Sequence, residues 1–156
     1  MAEERLNLEL KKFLPYKINI LGKRISDSLS MIYSTEFTIS IAQWQVLVWL
    51  NTYENLYAKD LSAYTYMDKT QVSRLINQLE QRGLIQRRAG EQDQRTQRLA
   101  LTQDGKALLN KIIPKAIEWE NSLIESLSQT DYHNLMTAME KLEKQLNKLN
   151  NKKVIK

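Results

Sequence analysis

Cysteine is absent from this chain. Disulfides, thiolate metal sites and thiol-based redox sensing are therefore closed to it. The single histidine, His133, is too little for an ordinary zinc site and is expected on a helix surface or interface. There is no Gly-rich phosphate loop, nucleophile elbow or metal-spaced cluster, so no metal, cofactor or enzymatic activity is expected. Glu118 and Glu120 are an acid pair without a cleft signal and read as solvated charges. No apolar run approaches the roughly 20 residues of a membrane span, and no signal peptide opens the chain. The expectation is a soluble, cytoplasmic protein with no membrane partner. Internal repeats and low-complexity segments are also missing.

Proline and glycine are scarce, at 2 and 4 in 156 residues, while Leu, Gln, Lys and Glu abound, a composition that favours helix. At 42% hydrophobic and 26% charged, the chain is ordinary globular material, long enough for one domain with helical extensions. The net charge of +5 and a pI near 9.3 favour a polyanionic partner.

The informative stretch is Asp68–Thr102. Asp68 can cap a helix, with Gln71 as the return half of a capping box. Val72, Leu75, Ile76 and Leu79 recur at helical spacing and predict one buried face. The opposite face carries Thr70, Ser73, Arg74, Asn77 and Gln81, nearly free of acid. These are the side-chain types that read base edges: Arg for guanine, Asn or Gln for adenine, Ser or Thr for either. The plain alternative is a solvated surface, which more often uses Glu–Lys pairs. Gly83 suits a left-handed exit from the helix. Leu84–Ala89 and Gln97–Leu101 then read as strands around the tip 90–96, and the hairpin bears Arg87, Arg88, Arg95 and Arg98. Such a tip suits a wing on a phosphate backbone with Arg95 in the minor groove; the alternative is a plain basic hairpin.

Elsewhere, residues 1–5 are expected to fray. A helix is predicted from Pro15 to about Tyr33, with both flanks covered because it is thinly charged. Ser40 and Gln43 form a second capping box before an almost wholly apolar helix at about 41–52, which should sit centrally. Trp44 and Trp49 on it are expected in the core rather than on a ligand. Tyr57–Tyr64 reads as a short helix joined by a tight turn to the one after Asp68, a helix-turn-helix arrangement. Thr102 caps a further helix that Pro114 should bend, and Ser128 with Asp131 starts the last one. There, Leu135, Met139, Leu142, Leu146 and Leu149 alternate steps of four and three, as in a seam between partner helices. Packing within one chain is the alternative.

The fold class expected is mainly α with a small β-hairpin wing, and the ordered set of motifs resembles the MarR family of winged-helix transcription regulators. FLPYKINILGKRIS at 13–26 and SIAQWQVLVWL at 40–50 are similar to its first two helices. MDKTQVSRLINQLEQRGLI at 67–85 resembles its recognition helix and exit, and Asp93-Gln94-Arg95 its wing motif. LTQDG at 101–105, Pro114 and LSQTD at 127–131 fall where its pattern expects them. The resemblance implies a homodimer, with residues 1–36 and 103–150 as dimerisation helices, 37–102 as the DNA-binding winged helix-turn-helix, and 151–156 as a basic tail. It implies binding to a pseudo-palindromic double-stranded operator, most simply as a repressor, through Thr70, Gln71, Ser73, Arg74, Asn77, Arg87, Arg88, Asp93 and Arg95. Ser73 and Arg74 fall on the family's Ser-Arg pair, Arg95 enters the minor groove, and Asp93 orients the wing. Gln71 and Tyr66 depart from the residues frequent there, Thr and Gly. The resemblance also implies a small-molecule effector, with Tyr33 and Trp44 as pocket candidates. The competing function is a winged-helix protein-interaction module without sequence-specific DNA binding.

Overall fold

The computed structural model describes residues 7–89 and 97–154. Asp93 and Arg95, with the rest of the hairpin tip, lie outside the described residues. The chain divides into two units, residues 1–116 and 117–156.

In the first unit, a 3-10 turn at Leu10–Lys12 leads into α1, Leu14–Glu36, with Pro15 in its first turn. Proline is tolerated there because the first helical N–H groups have no intrahelical partner. Only the second half of α1 packs: Tyr33 is buried, and Leu29 and Ile32 lie against the core. Leu14, Tyr16, Ile18, Ile20 and Leu21 are exposed, so the cover expected on both flanks is not supplied by the described residues of this chain.

Helix α2, Ile41–Thr52, begins with the expected capping box: Gln43 N–H donates to Ser40 Oγ at 3.1 Å, and Ser40 N–H donates to Gln43 Oε1 at 3.1 Å. It is the central helix, packing on α1, α3 (Ala58–Thr65), α4 (Lys69–Gln81) and the hairpin. Val46, Leu47 and Leu50 are buried. Trp44 and Trp49 are only half-buried, because a helix apolar all round has more faces than its neighbours cover. Trp49 instead stacks on Tyr64 and Tyr53, with centroids 4.6 and 6.0 Å away.

Helix α4 buries the expected four residues, Val72, Leu75, Ile76 and Leu79. Each contributes about 1.5–3 kcal/mol relative to an exposed position, before the entropy of ordering is set against it. Asp68 caps α4 by accepting from Gln71 N–H at 2.7 Å, but the return bond from the Gln71 side chain expected of a capping box is not formed. The exit matches expectation. Gly83 sits at φ +70, its N–H donates to Glu80 C=O, and Leu84 N–H donates to Leu79 C=O. That pair of bonds is the Schellman arrangement, and the left-handed residue within it favours glycine.

Strands β1 (Ile85–Ala89) and β2 (Gln97–Leu101) pair antiparallel in the register Ile85↔Leu101 to Ala89↔Gln97. Leu99 N–H also donates to Leu56 C=O at 2.7 Å, adding a one-residue bridge that sequence spacing did not suggest. Helix α5, Gln103–Ile124, continues across Pro114. Its start is locked to the α4 exit: Thr102 Oγ1 donates to Gly83 C=O at 2.6 Å and accepts from Gly105 N–H at 3.1 Å. Gly105 is buried there, and a Cβ on it would overlap the Leu84 carbonyl oxygen. Helix propensity alone favours Ala over Gly by about 1 kcal/mol. Gly105→Ala is nevertheless expected to destabilise the protein by about 1–3 kcal/mol, because a backbone carbonyl cannot move aside as a side chain can. Urea denaturation would read this, and a stabilised variant would contradict the close approach.

The second unit contains the end of α5 and α6, Gln129–Val154. Its start is boxed as expected, with Asp131 N–H donating to Ser128 Oγ at 3.0 Å and Ser128 N–H to Asp131 Oδ2 at 3.1 Å. Leu135, Met139, Leu142, Leu146 and Leu149 are all exposed on α6, and His133 is exposed beside them. No helix of the described residues is long and apolar enough to cross a membrane.

Candidate nucleic-acid interface

Because α4 buries one face, the other must point to solvent. Thr70, Ser73, Arg74 and Asn77 are exposed along it. Lys69, at the first helical position, joins them; it stands four residues before Ser73 and eight before Asn77, a helical spacing that marks it as part of the same face. Gln71 is half-buried, at the edge of this face. Arg74 has no hydrogen-bond or ion-pair partner among the described residues, so its planar donor fork is free for an outside acceptor.

Asn77 and Arg87 are brought together, but they engage each other. Arg87 Nη2 donates to Asn77 Oδ1, Nε donates to Glu80 Oε2 at 3.1 Å, and Nη1 donates to Gln97 Oε1 at 3.4 Å. The ion pair is partly exposed, with side chains 34% and 43% accessible, and contributes at most about 1 kcal/mol. Its consequence is geometric: it ties β1 to the exit of α4. Bidentate pairing with adenine needs both the oxygen and the nitrogen of an Asn amide, and Arg87 already takes one of the two lone pairs on Asn77 Oδ1, so the pairing constrains how Asn77 could meet adenine.

Arg88 is on the other side of the hairpin, since successive strand residues face opposite ways. It lines a recess of about 280 Å³ with Asn51, Glu54, Asn55, Ala100 and Lys106. The structure therefore does not place Arg88 with Arg87. Arg98 packs the hairpin on the start of α3: its Nε donates to Tyr57 Oη at 3.2 Å, and its guanidinium lies 5.9 Å from the Tyr57 ring centre. Two further bonds hold α4 to the rest of the unit. Gln43 Nε2 donates to Gln78 Oε1 at 3.1 Å, and Arg82 Nη1 donates to Thr38 C=O at 2.8 Å. The outcome is a rigidly braced helix with a polar, acid-poor outer face.

The two residues expected to line an effector pocket do meet. The Tyr33 and Trp44 rings stack with centroids 5.0 Å apart and planes 17° apart. Tyr33 is fully buried, and burial raises its phenol pKa above the ordinary 10.0. Neither Tyr33 Oη nor Trp44 Nε1 has a hydrogen-bond partner among the described residues. Buried polar atoms of this kind are normally paired.

Comparison with known proteins agrees with this geometry. Residues 37–96 match the sequence model of the MarR family. An uncharacterized HTH-type transcriptional regulator of Bacillus cereus is 28% identical over 120 residues, covering 74% of this chain and 80% of that one. The crystal structure of a MarR/EmrR family transcriptional regulator from an Acinetobacter species has a TM-score of 0.83 at 24% identity, covering 90% of this chain and 99% of the other. The S. aureus MepR–DNA complex has a TM-score of 0.79 at 21% identity, covering 87% and 98%. At those identities the two structures speak for the shared fold.

Proposed function

We propose that this chain is a transcriptional regulator of the MarR family, whose sequence model matches residues 37–96, and that it is a homodimer that binds a pseudo-palindromic operator through its winged helix and represses transcription. One observation carries the reading: the outer face of α4 presents Thr70, Ser73 and an Arg74 without a partner among the described residues, from a helix braced by its buried side. In this reading each protomer places α4 in a major groove, with half-sites about 34–36 Å apart. Asp93 and Arg95 of the hairpin tip contribute at the minor groove. Gln71 serves at the edge of the face, Asn77 and Arg87 contribute after exchanging partners, and Arg88 serves as a phosphate contact. That the structurally similar MepR was solved in complex with DNA supports the assignment of DNA as the partner.

Residues 1–36 and 103–150 supply dimerisation. The exposed apolar residues of α1 and α6 support this, because each row would otherwise face water. Effector control is part of the same proposal. A planar ligand carrying a hydrogen-bonding group would complement the stacked Tyr33–Trp44 pair and its two unpartnered polar atoms. Such a ligand lowers DNA affinity only if it binds differently to the DNA-competent and incompetent states.

The test is selection of bound fragments from random duplex DNA, followed by titration of the best fragment and challenge with a small-molecule panel. Arg74→Ala and Arg95→Ala are each expected to weaken binding by about 1–3 kcal/mol while leaving the oligomeric state alone. No selection above background, even at low salt, would refute the function. The half-exposed Trp49, Tyr53 and Tyr64 stack favours a second reading, a protein-interaction surface. Capture of a protein partner with nucleic acid removed would support it.

A further inference from the structure

Tyr66 occupies the turn between α3 and α4 at φ 59 and ψ 16, in the left-handed region. A side chain is strained there where glycine would not be. The residue is 95% exposed, more than any other large apolar or aromatic residue among the described ones. The hydroxyl has no partner among the described residues. The ring thus gains nothing from burial or hydrogen bonding, and the backbone pays for holding it.

The turn around it is nonetheless firmly set. Ser62 Oγ donates to Met67 C=O at 2.5 Å. Thr65 Oγ1 donates to Leu61 C=O at 2.6 Å and accepts from Met67 N–H at 3.3 Å. Asp68, two residues after Tyr66, caps α4. The strained conformation is therefore imposed by its neighbours, the circumstance in which strain points to function. In a helix-turn-helix the first helix crosses the DNA backbone and the N-terminal residues of the second enter the major groove. A residue in the turn between them sits at the groove wall, where the phosphates run.

We propose that Tyr66 is a DNA-contacting residue, its hydroxyl donating to a phosphate oxygen and its ring packing on the adjoining sugar. The inference rests on the DNA-binding reading above. A Tyr hydroxyl is an established phosphate donor type. Being neutral, it displaces no counterion, so its loss lowers affinity without changing the salt slope. Being a backbone contact, it acts alike on specific and unrelated duplexes.

The experiment compares the wild type, Tyr66→Phe, Tyr66→Gly and Arg74→Ala on the selected duplex and on an unrelated one. Tyr66→Phe is expected to bind about three- to tenfold more weakly on both, with an unchanged melting temperature. Tyr66→Gly is expected to bind at least about tenfold more weakly, yet to melt about 2–4 °C higher because the left-handed strain is gone. Wild-type affinity in either Tyr66 variant, or a lower melting temperature in Tyr66→Gly, would overturn the contact. If Arg74→Ala loses affinity while the Tyr66 variants do not, the Tyr66 contact fails and DNA binding stands. If the wild type binds no duplex, both fall together.

Discussion

Raising the salt from 50 to 200 mM is expected to weaken the operator complex by about 10³–10⁵-fold. That figure follows if the dimer neutralises about 6–10 phosphates, each releasing condensed counterions on binding. The cations available on each protomer include Lys69 and Arg74 on the face of α4, Arg88 on β1, and Arg95 at the hairpin tip. Arg87 is a poor candidate until it leaves Glu80, since an ion already paired has less counterion to release. A log–log plot of affinity against salt reads the number directly. Arg74→Ala should lower the slope by about one for each phosphate contact it removes. A flat response would show that the basic surface does not grip a polyanion, and the proposed function would lose its electrostatic basis.

The second large effect concerns α6. Leu142 and Leu146 sit in the middle of the proposed seam, both exposed in the single chain, on a helix whose remaining surface is rich in Lys, Glu, Gln and Asn. The double substitution Leu142→Lys with Leu146→Lys keeps good helix formers in place, so the helix itself should persist. What it removes is the apolar contact with a partner helix, and it places like charges across the proposed two-fold axis. Light scattering is expected to show a dimer for the wild type and a monomer for the double variant. Operator affinity should fall by about 10²–10⁴-fold, because the second half-site is no longer delivered by the same assembly. A double variant that stays dimeric would move the seam elsewhere, and one that is monomeric with full operator affinity would separate dimerisation from DNA binding.

Much of the fold was legible because the signals that start and stop helices are local. Ser40 with Gln43, Thr102, Ser128 with Asp131 and Gly83 each declare a boundary through atoms within a few residues, and each does so in the structure. The buried face of α4 was legible for a related reason: four apolar residues at helical spacing leave one solution for which side goes inward. Half of the Asp68 cap was readable in the same way, while the Gln71 return bond depended on where one side chain turned.

The sequence by itself determined the element order, the α4 face left to solvent and the family resemblance, since these depend on residue types at short, regular separations. The opposed facing of Arg87 and Arg88 was also implicit in strand alternation, but not what either would meet. Only the tertiary structure decided that Arg87 braces Asn77 and Glu80, that Arg88 faces Asn51 and Lys106, that Gly105 is required by the Leu84 carbonyl, and that Tyr66 is strained and bare. Those outcomes are set by contacts between segments distant along the chain, or by a turn geometry that its neighbours impose. The physical reason is that a hydrogen bond or a steric overlap is decided by distances of a few tenths of an ångström, and for residues far apart in sequence those distances exist only once the core has packed.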